Sequence, residues 1–212
     1  MSVPKLEGPW LQSGETLVCF GDSLTSAANG YVKILQEKLQ FRGIKVVNAG
    51  LAGDKTPQAL TRLQHDVIDL HPSAVSIFFG NNDAVIGRGM WRDEPVVTPQ
   101  TFEDNLKWII HLCKLRSGIR KFSINTLTNR MEGRAFLSFG DCLTPYSQAA
   151  RKAADDMDAC IVPLDAVFAR LREQNYARMS PEGLLYTKDG VHMNEDGYRI
   201  VADTMLREWN LL

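Results

Sequence analysis

The stretch CFGDSLTSAANGYVKIL, residues 19–35, places Ser23 at a bend between an apolar run and a helical pattern. A serine hydroxyl becomes a nucleophile only when a nearby base takes its proton, so the four histidines decide what Ser23 can do. His65 and His71 fall late in a helical segment, where an imidazole faces water or satisfies the last carbonyls. His111 sits off the apolar stripe of its helix. His192 differs: it lies in the loop YTKDGVHMN, three residues after Asp189. A carboxylate at that spacing, across a Gly-containing turn, can reach one ring nitrogen and fix the tautomer while the other nitrogen faces a nucleophile. Each residue also has an ordinary reading. Ser, Asp and Gly are the usual residues of strand-to-helix turns, so on local grounds Ser23 is first a helix cap.

Acyl transfer would need a third component, donors for the negative charge that develops on the former carbonyl oxygen. Two loops offer them. NAGLAGD contains Gly53, whose backbone N–H is unobstructed by a side chain, and GNND contains Asn82, whose amide could be aimed into the same site. Asp54 and Asp83 have a plain alternative role as caps of the helices that follow.

Other chemistries find little support. The chain lacks G-x-x-x-x-G-K-[ST], H-E-x-x-H and G-x-S-x-G, and Gly87-Arg-Gly89 has no third glycine and opens no helix. The histidines form no ligand-spaced cluster with acids or cysteines, which argues against a metal site. Twenty-four Lys plus Arg against 25 Asp plus Glu leaves no basic surplus for nucleic acid. The longest apolar run, Ala74 to Phe79, is too short to span a bilayer, and the first residues have no apolar core of a signal peptide. The expectation is a cytoplasmic protein. Cys19, Cys113, Cys142 and Cys160 are widely spaced and read as reduced and mostly buried.

The elements that must position these residues alternate. Strands are expected at Leu17–Phe20, Lys45–Asn48, Ala74–Phe79, Lys121–Asn125 and Cys160–Pro163, with segments of helical period between them. One helix carries Tyr31, Ile34, Leu35 and Leu39; a second carries Ala59, Leu60, Leu63 and Val67 and ends at His71-Pro72. A third follows Thr98-Pro99, a fourth spans about Tyr146 to Met157, a fifth follows Asp165, and the last runs from Glu195 to Trp209 behind Asn194. Such alternation predicts a parallel sheet with helices on both faces, a three-layer α/β/α sandwich, and 212 residues with 44% hydrophobic content suit a single domain over 1–212. Ser23, Gly53 and Asn82 then fall beyond the carboxyl ends of strands, where open α/β sheets bind ligands.

Gly-Asp-Ser-Leu at 21–24, the glycine in NAGLAGD, GNND and DGVH, in that order, resemble the sequence blocks of the SGNH hydrolases, also called GDSL esterases/lipases. The resemblance implies a flavodoxin-like sandwich with five parallel strands. It implies Ser23 as nucleophile, His192 as general base and acid, and Asp189 as the group orienting His192. The oxyanion hole would combine the N–H groups of Ser23 and Gly53 with the Asn82 side chain. No cofactor or metal would be required. The substrate would be a small-molecule ester; family members hydrolyse simple acyl esters, acetylated sugars, lysophospholipids and thioesters. The same blocks would serve an acyltransferase, with an alcohol replacing water, and a non-catalytic binding protein on this fold is a further reading.

Two connections are longer than the fold requires, Ala84 to Thr98 and Leu127 to Pro145, and both leave strand ends. Trp91 on the first and Phe136 on the second are the expected lining of an acyl or alcohol pocket, with anchoring of the loops to the core as the plainer reading. The lack of a broad apolar lid segment favours short-acyl or acetyl esters over long-chain lipids.

Overall fold

Short runs of Val, Ile and Phe form the strands, because branched and aromatic side chains fit a pleated surface covered on both sides. In the computed structural model, which describes residues 8–85, 93–128 and 130–212, these are β1 (Thr16–Gly21), β2 (Lys45–Gly50), β3 (Ala74–Phe78), β4 (Lys121–Asn125) and β5 (Cys160–Val162). All pair in parallel, in the order β2-β1-β3-β4-β5. The order turns back between β1 and β3, the switch point at which doubly wound sheets open a crevice. Every expected strand is present, with ends that differ by a residue or two. β1 and β2 run on to Gly21 and Gly50, and β5 stops at Val162 because Pro163 has no N–H to give.

Alternation along β1 builds both cores. Leu17 and Cys19 enter one, with Tyr31, Val32 and Leu35 of α2 (Tyr31–Leu39), Phe168 of α8 (Leu164–Gln174) and Val201 and Met205 of α9 (Glu195–Glu208). Val18 and Phe20 enter the other, with α3 (Thr56–Asp66), α5 (Pro99–Ser117) and α7 (Thr144–Met157). The helices begin where the sequence marks them. The Thr98 hydroxyl accepts the Thr101 N–H ahead of α5, and Asn194 accepts the Gly197 N–H ahead of α9.

Three short helices escape sequence-based expectation: α1 (Ser23–Ser26), α4 (Asn81–Val85) and α6 (Gly133–Phe139). None is long enough to display a 3.6-residue period. The second expected helix also stops sooner. α3 ends at Asp66, a tight turn over Ile68–Leu70 follows, and His71 sits beyond it with φ of 47°. At the opposite end of the sheet, Trp10 stacks on Trp209 with centroids 4.9 Å apart, and the Trp10 N–H donates to the Trp209 carbonyl. No helix among the described residues is long and apolar enough to cross a membrane.

Candidate active site

The bend after β1 settles which residue is the cap. Asp22 Oδ1 accepts the Leu24 N–H at 2.9 Å, and the Asp22 carbonyl accepts from Thr25 and Ser26. Asp22 is therefore the N-cap of α1, and Ser23 is its first helical residue, correcting the local reading of Ser23 as the cap. Ser23 is half-buried between buried neighbours. Its turn is held from two sides: the Thr25 hydroxyl bonds the Tyr31 hydroxyl at 2.9 Å, and Asn48 Nδ2 of β2 donates to the Thr25 carbonyl at 2.8 Å.

The next strand delivers Gly53. Its φ of 86° is one that side chains rarely adopt, and a Cβ placed there would meet nothing within 4 Å. Backbone conformation therefore demands the glycine, and the space in front of it is open. The Leu51 N–H donates to the Gly21 carbonyl at 3.0 Å, joining this loop to the end of β1. Asn82, in the first turn of α4, donates from Nδ2 to the Asp54 carbonyl at 2.9 Å. Among the described residues neither the Ser23 nor the Gly53 N–H has an acceptor. Free N–H groups beside a fixed amide, at the ends of adjacent strands, can receive an oxyanion.

Arg62 of α3 binds these segments together. Nη2 donates to the Gly21 carbonyl, Nη1 to the Ala49 carbonyl and to Asp66, and Nε to Asp54 at 2.5 Å, while the guanidinium lies 4.5 Å above the Phe20 ring. Asp54 thus pairs with Arg62 rather than capping the next helix. Asp83 does act as a cap, but of α3 rather than its own helix: Oδ1 takes the Thr56 N–H and hydroxyl at 3.0 and 2.6 Å.

The histidine comes from a small hairpin bridged between Thr187 and Met193. Asp189 Oδ2 lies 2.7 Å from His192 Nδ1, and Oδ1 accepts the N–H groups of His192 and Val191 at 2.7 and 2.9 Å. Partial burial pushes the Asp189 carboxyl upward, but these bonds prevail and hold it below its ordinary value. With Nδ1 engaged, Nε2 is the nitrogen left to exchange a proton. No hydrogen bond joins Ser23 to His192 among the described residues; the link between their segments is electrostatic. Burial is the chief cause that raises the Asp22 carboxyl to about 7; the Leu24 N–H opposes it, the charges of Asp83 and Asp54 add to the rise, and that of His192 lowers it. Asp22 and Asp189 both act on the Tyr198 hydroxyl, so the serine turn and the histidine hairpin face one region.

Of the other expected residues, Trp91 lies outside the described residues. Phe136, on α6, packs half-buried against the core with the Arg130 guanidinium 4.5 Å over its ring. His65 is exposed beside Asp66, as expected of a helix-end histidine, and His111 is exposed. Sequence reasoning missed Arg62 and Glu132. Arg62 follows Thr61 on a helix whose apolar stripe is the visible signal; its i,i+4 pairing with Asp66 is readable there, but the carbonyls of Gly21 and Ala49 that it also binds leave no mark in sequence. Glu132 lies in the second long connection, and its side-chain partners lie 40 to 55 residues away.

Comparisons with known proteins address the family and the fold. The sequence model of the GDSL-like Lipase/Acylhydrolase family matches residues 19–200. The chain is 28% identical to the lipoprotein YqeF of Bacillus subtilis (strain 168), over 89% of this chain and 87% of that one. It is also 28% identical to an acetylxylan esterase of Geobacillus stearothermophilus, over 92% of this chain and 94% of the relative. Among solved structures, LAE5, an alpha/beta hydrolase enzyme from the metagenome of Lake Arreo, Spain, superposes with a TM-score of 0.81 at 23% identity, over 97% of this chain and 99% of that one, a likeness of fold.

Proposed function

The chain belongs to the GDSL-like lipase/acylhydrolase family and is a carboxylic ester hydrolase, and we propose that it cleaves short-acyl esters, acetyl esters foremost, through an acyl enzyme on Ser23. His192 takes the Ser23 proton as the hydroxyl attacks the ester carbonyl and returns it to the departing alcohol. Water then attacks the acyl enzyme, with His192 again moving the proton. Asp189 holds the imidazole with Nδ1–H inward and stabilises the imidazolium. The N–H groups of Ser23 and Gly53 and the Asn82 amide receive the oxyanion.

The observation that carries this reading is the engagement of Asp189 with His192: one oxygen on the ring, the other on two backbone N–H groups. A surface histidine serving solubility has no need of a carboxylate locked on both sides. Similarity to an acetylxylan esterase over nearly the full length supports the small acyl group.

The test is hydrolysis of p-nitrophenyl acetate, butyrate and octanoate by wild type and Ser23→Ala, with a parallel series containing added alcohol. Acetate is expected to be the fastest substrate and the variant inactive. Equal activity of the variant would overturn Ser23 as nucleophile. A shift of product from acid to new ester would favour acyl transfer over hydrolysis.

A further inference from the structure

Glu132 is 1% exposed at the head of α6, and the reaction proposed above makes no use of it. Its carboxylate collects the backbone N–H groups of Leu185, Tyr186 and Thr187 at 2.9–3.2 Å and the Thr187 hydroxyl at 2.7 Å. On its other side the Nε of Arg172, itself buried on α8, donates at 3.0 Å. Burial alone would push this carboxyl up, but the donors and Arg172 prevail and hold it below the ordinary range, so it is a buried anion.

The backbone of Glu132 grips the same segment. Its N–H donates to the Gly190 carbonyl at 2.9 Å, and a Cβ on Gly190 would stand 2.3 Å from the Glu132 carbonyl oxygen. The Thr187 hydroxyl that donates to Glu132 also accepts the Gly190 N–H at 3.1 Å. Residues 185–190 are thus folded around one side chain, and the exposed part of the hairpin carries Asp189 and His192. The hairpin has few backbone bonds of its own, the Lys188 N–H to the His192 carbonyl and the Asn194 N–H to the Tyr186 carbonyl, so its orientation depends on what it rests on.

We propose that Glu132, neutralised by Arg172, is a positioning residue for the acid–base pair: by clamping residues 185–190 it sets the angle at which Asp189 and His192 are presented. This rests on the assignment of His192 as the base. A rigid support matters because small displacements of a catalytic group cost far more rate than stability. The second long connection then serves the histidine hairpin, beyond any part it has in lining a pocket.

The test compares wild type, Thr187→Val, Glu132→Gln and His192→Ala with p-nitrophenyl acetate. Rates are expressed per active serine titrated with an organophosphate, with thermal melts alongside. Thr187→Val removes the hydroxyl that links Glu132 to Gly190 and leaves the buried charge pair intact. It is expected to lower kcat per titrated site about tenfold with KM changed by less than about twofold. Loosening the Asp189–His192 bond destabilises the imidazolium, so the acidic limb of the kcat/KM profile should move down by about half a pH unit. Glu132→Gln should shift both readouts further in the same directions. Should it fail to fold, Thr187→Val decides alone. An unchanged kcat per site and an unchanged acidic limb in Thr187→Val, whatever its melting temperature, would reduce Glu132 to a structural residue. Wild-type activity in His192→Ala would instead remove the base assignment on which the proposal rests.

Discussion

The Asn82 side chain donates to the main-chain carbonyl of Asp54 at 2.9 Å, so a residue from the end of β3 is oriented by the loop that follows β2. One amide hydrogen is spent on that carbonyl and the other is fixed in direction as a result. Asn82→Ala should therefore lower kcat for p-nitrophenyl acetate about 10²- to 10³-fold, equivalent to about 2.7–4 kcal/mol of transition-state stabilisation, with KM little changed. A loss confined to KM would show that Asn82 binds the ground state instead.

Asp189→Asn tests the tautomer. Asparagine keeps an oxygen for the backbone N–H groups of Val191 and His192, but its NH₂ would face Nδ1, which must then accept and leave the proton on Nε2. The expected loss in kcat is about 10⁴-fold with the melting temperature near that of wild type. A loss of less than about tenfold would remove Asp189 from the mechanism.

Arg62 joins β1 and β2 through the Gly21 and Ala49 carbonyls, which no other described side chain satisfies, and the Gly53 loop through the Asp54 carboxylate. Arg62→Met leaves Asp54, 7% exposed, without its cation. The expected destabilisation is about 3–5 kcal/mol, read as a lower urea midpoint at unchanged m-value. Arg62→Lys should recover only part of it, because an ammonium cannot reach two strand ends and a carboxylate together.

Asp83 gives a pH prediction. It is wholly buried, Oδ2 has no partner among the described residues, and burial raises its carboxyl to about 6 from the ordinary 3.8 despite the bonds from Thr56. Between those values the folded state binds the extra proton. The contribution of Asp83 to stability is thus fully present below about pH 3.8 and is lost as the pH rises through about 6. Asp83→Asn keeps an acceptor for Thr56 and cannot ionise. At pH 7.5 it should be more stable than wild type by about 3 kcal/mol, since each pH unit separating the folded and unfolded carboxyl is worth roughly 1.4 kcal/mol. The difference should shrink steadily below pH 6 and vanish near 3.8. A constant difference across that range would show that ionisation of Asp83 is not its source.

Much of this arrangement is legible in the sequence because the informative relations are local. Asp189 and His192 are three residues apart, and their bond is the one a Gly-containing turn at that spacing implies. The strands announce themselves by composition and the long helices by period. Contacts made through long-range backbone acceptors and donors stay hidden. The role of Arg62 depends on the carbonyls of Gly21 and Ala49, and that of Glu132 on N–H groups at 185–187. Every residue has such groups, so sequence carries no trace of which are used. Capping by Asp83 follows from its residue type, but local sequence points to the wrong helix, since its partner Thr56 comes from an earlier crossover.

The stacking of Trp10 on Trp209 also bears on synthesis. It fastens the segment leading into β1 to the end of the helix that follows His192, and the two halves of the proposed catalytic pair, Ser23 and His192, are likewise far apart in the order in which the ribosome makes them. Ser23 emerges well before His192, and the core that holds Leu17 and Cys19 receives the side chains of α9 after those of the elements that precede it. A nascent chain that stops before residue 192 therefore holds a serine without its proposed base. With His192 as the base, hydrolytic competence arrives only once the hairpin ahead of α9 has been made.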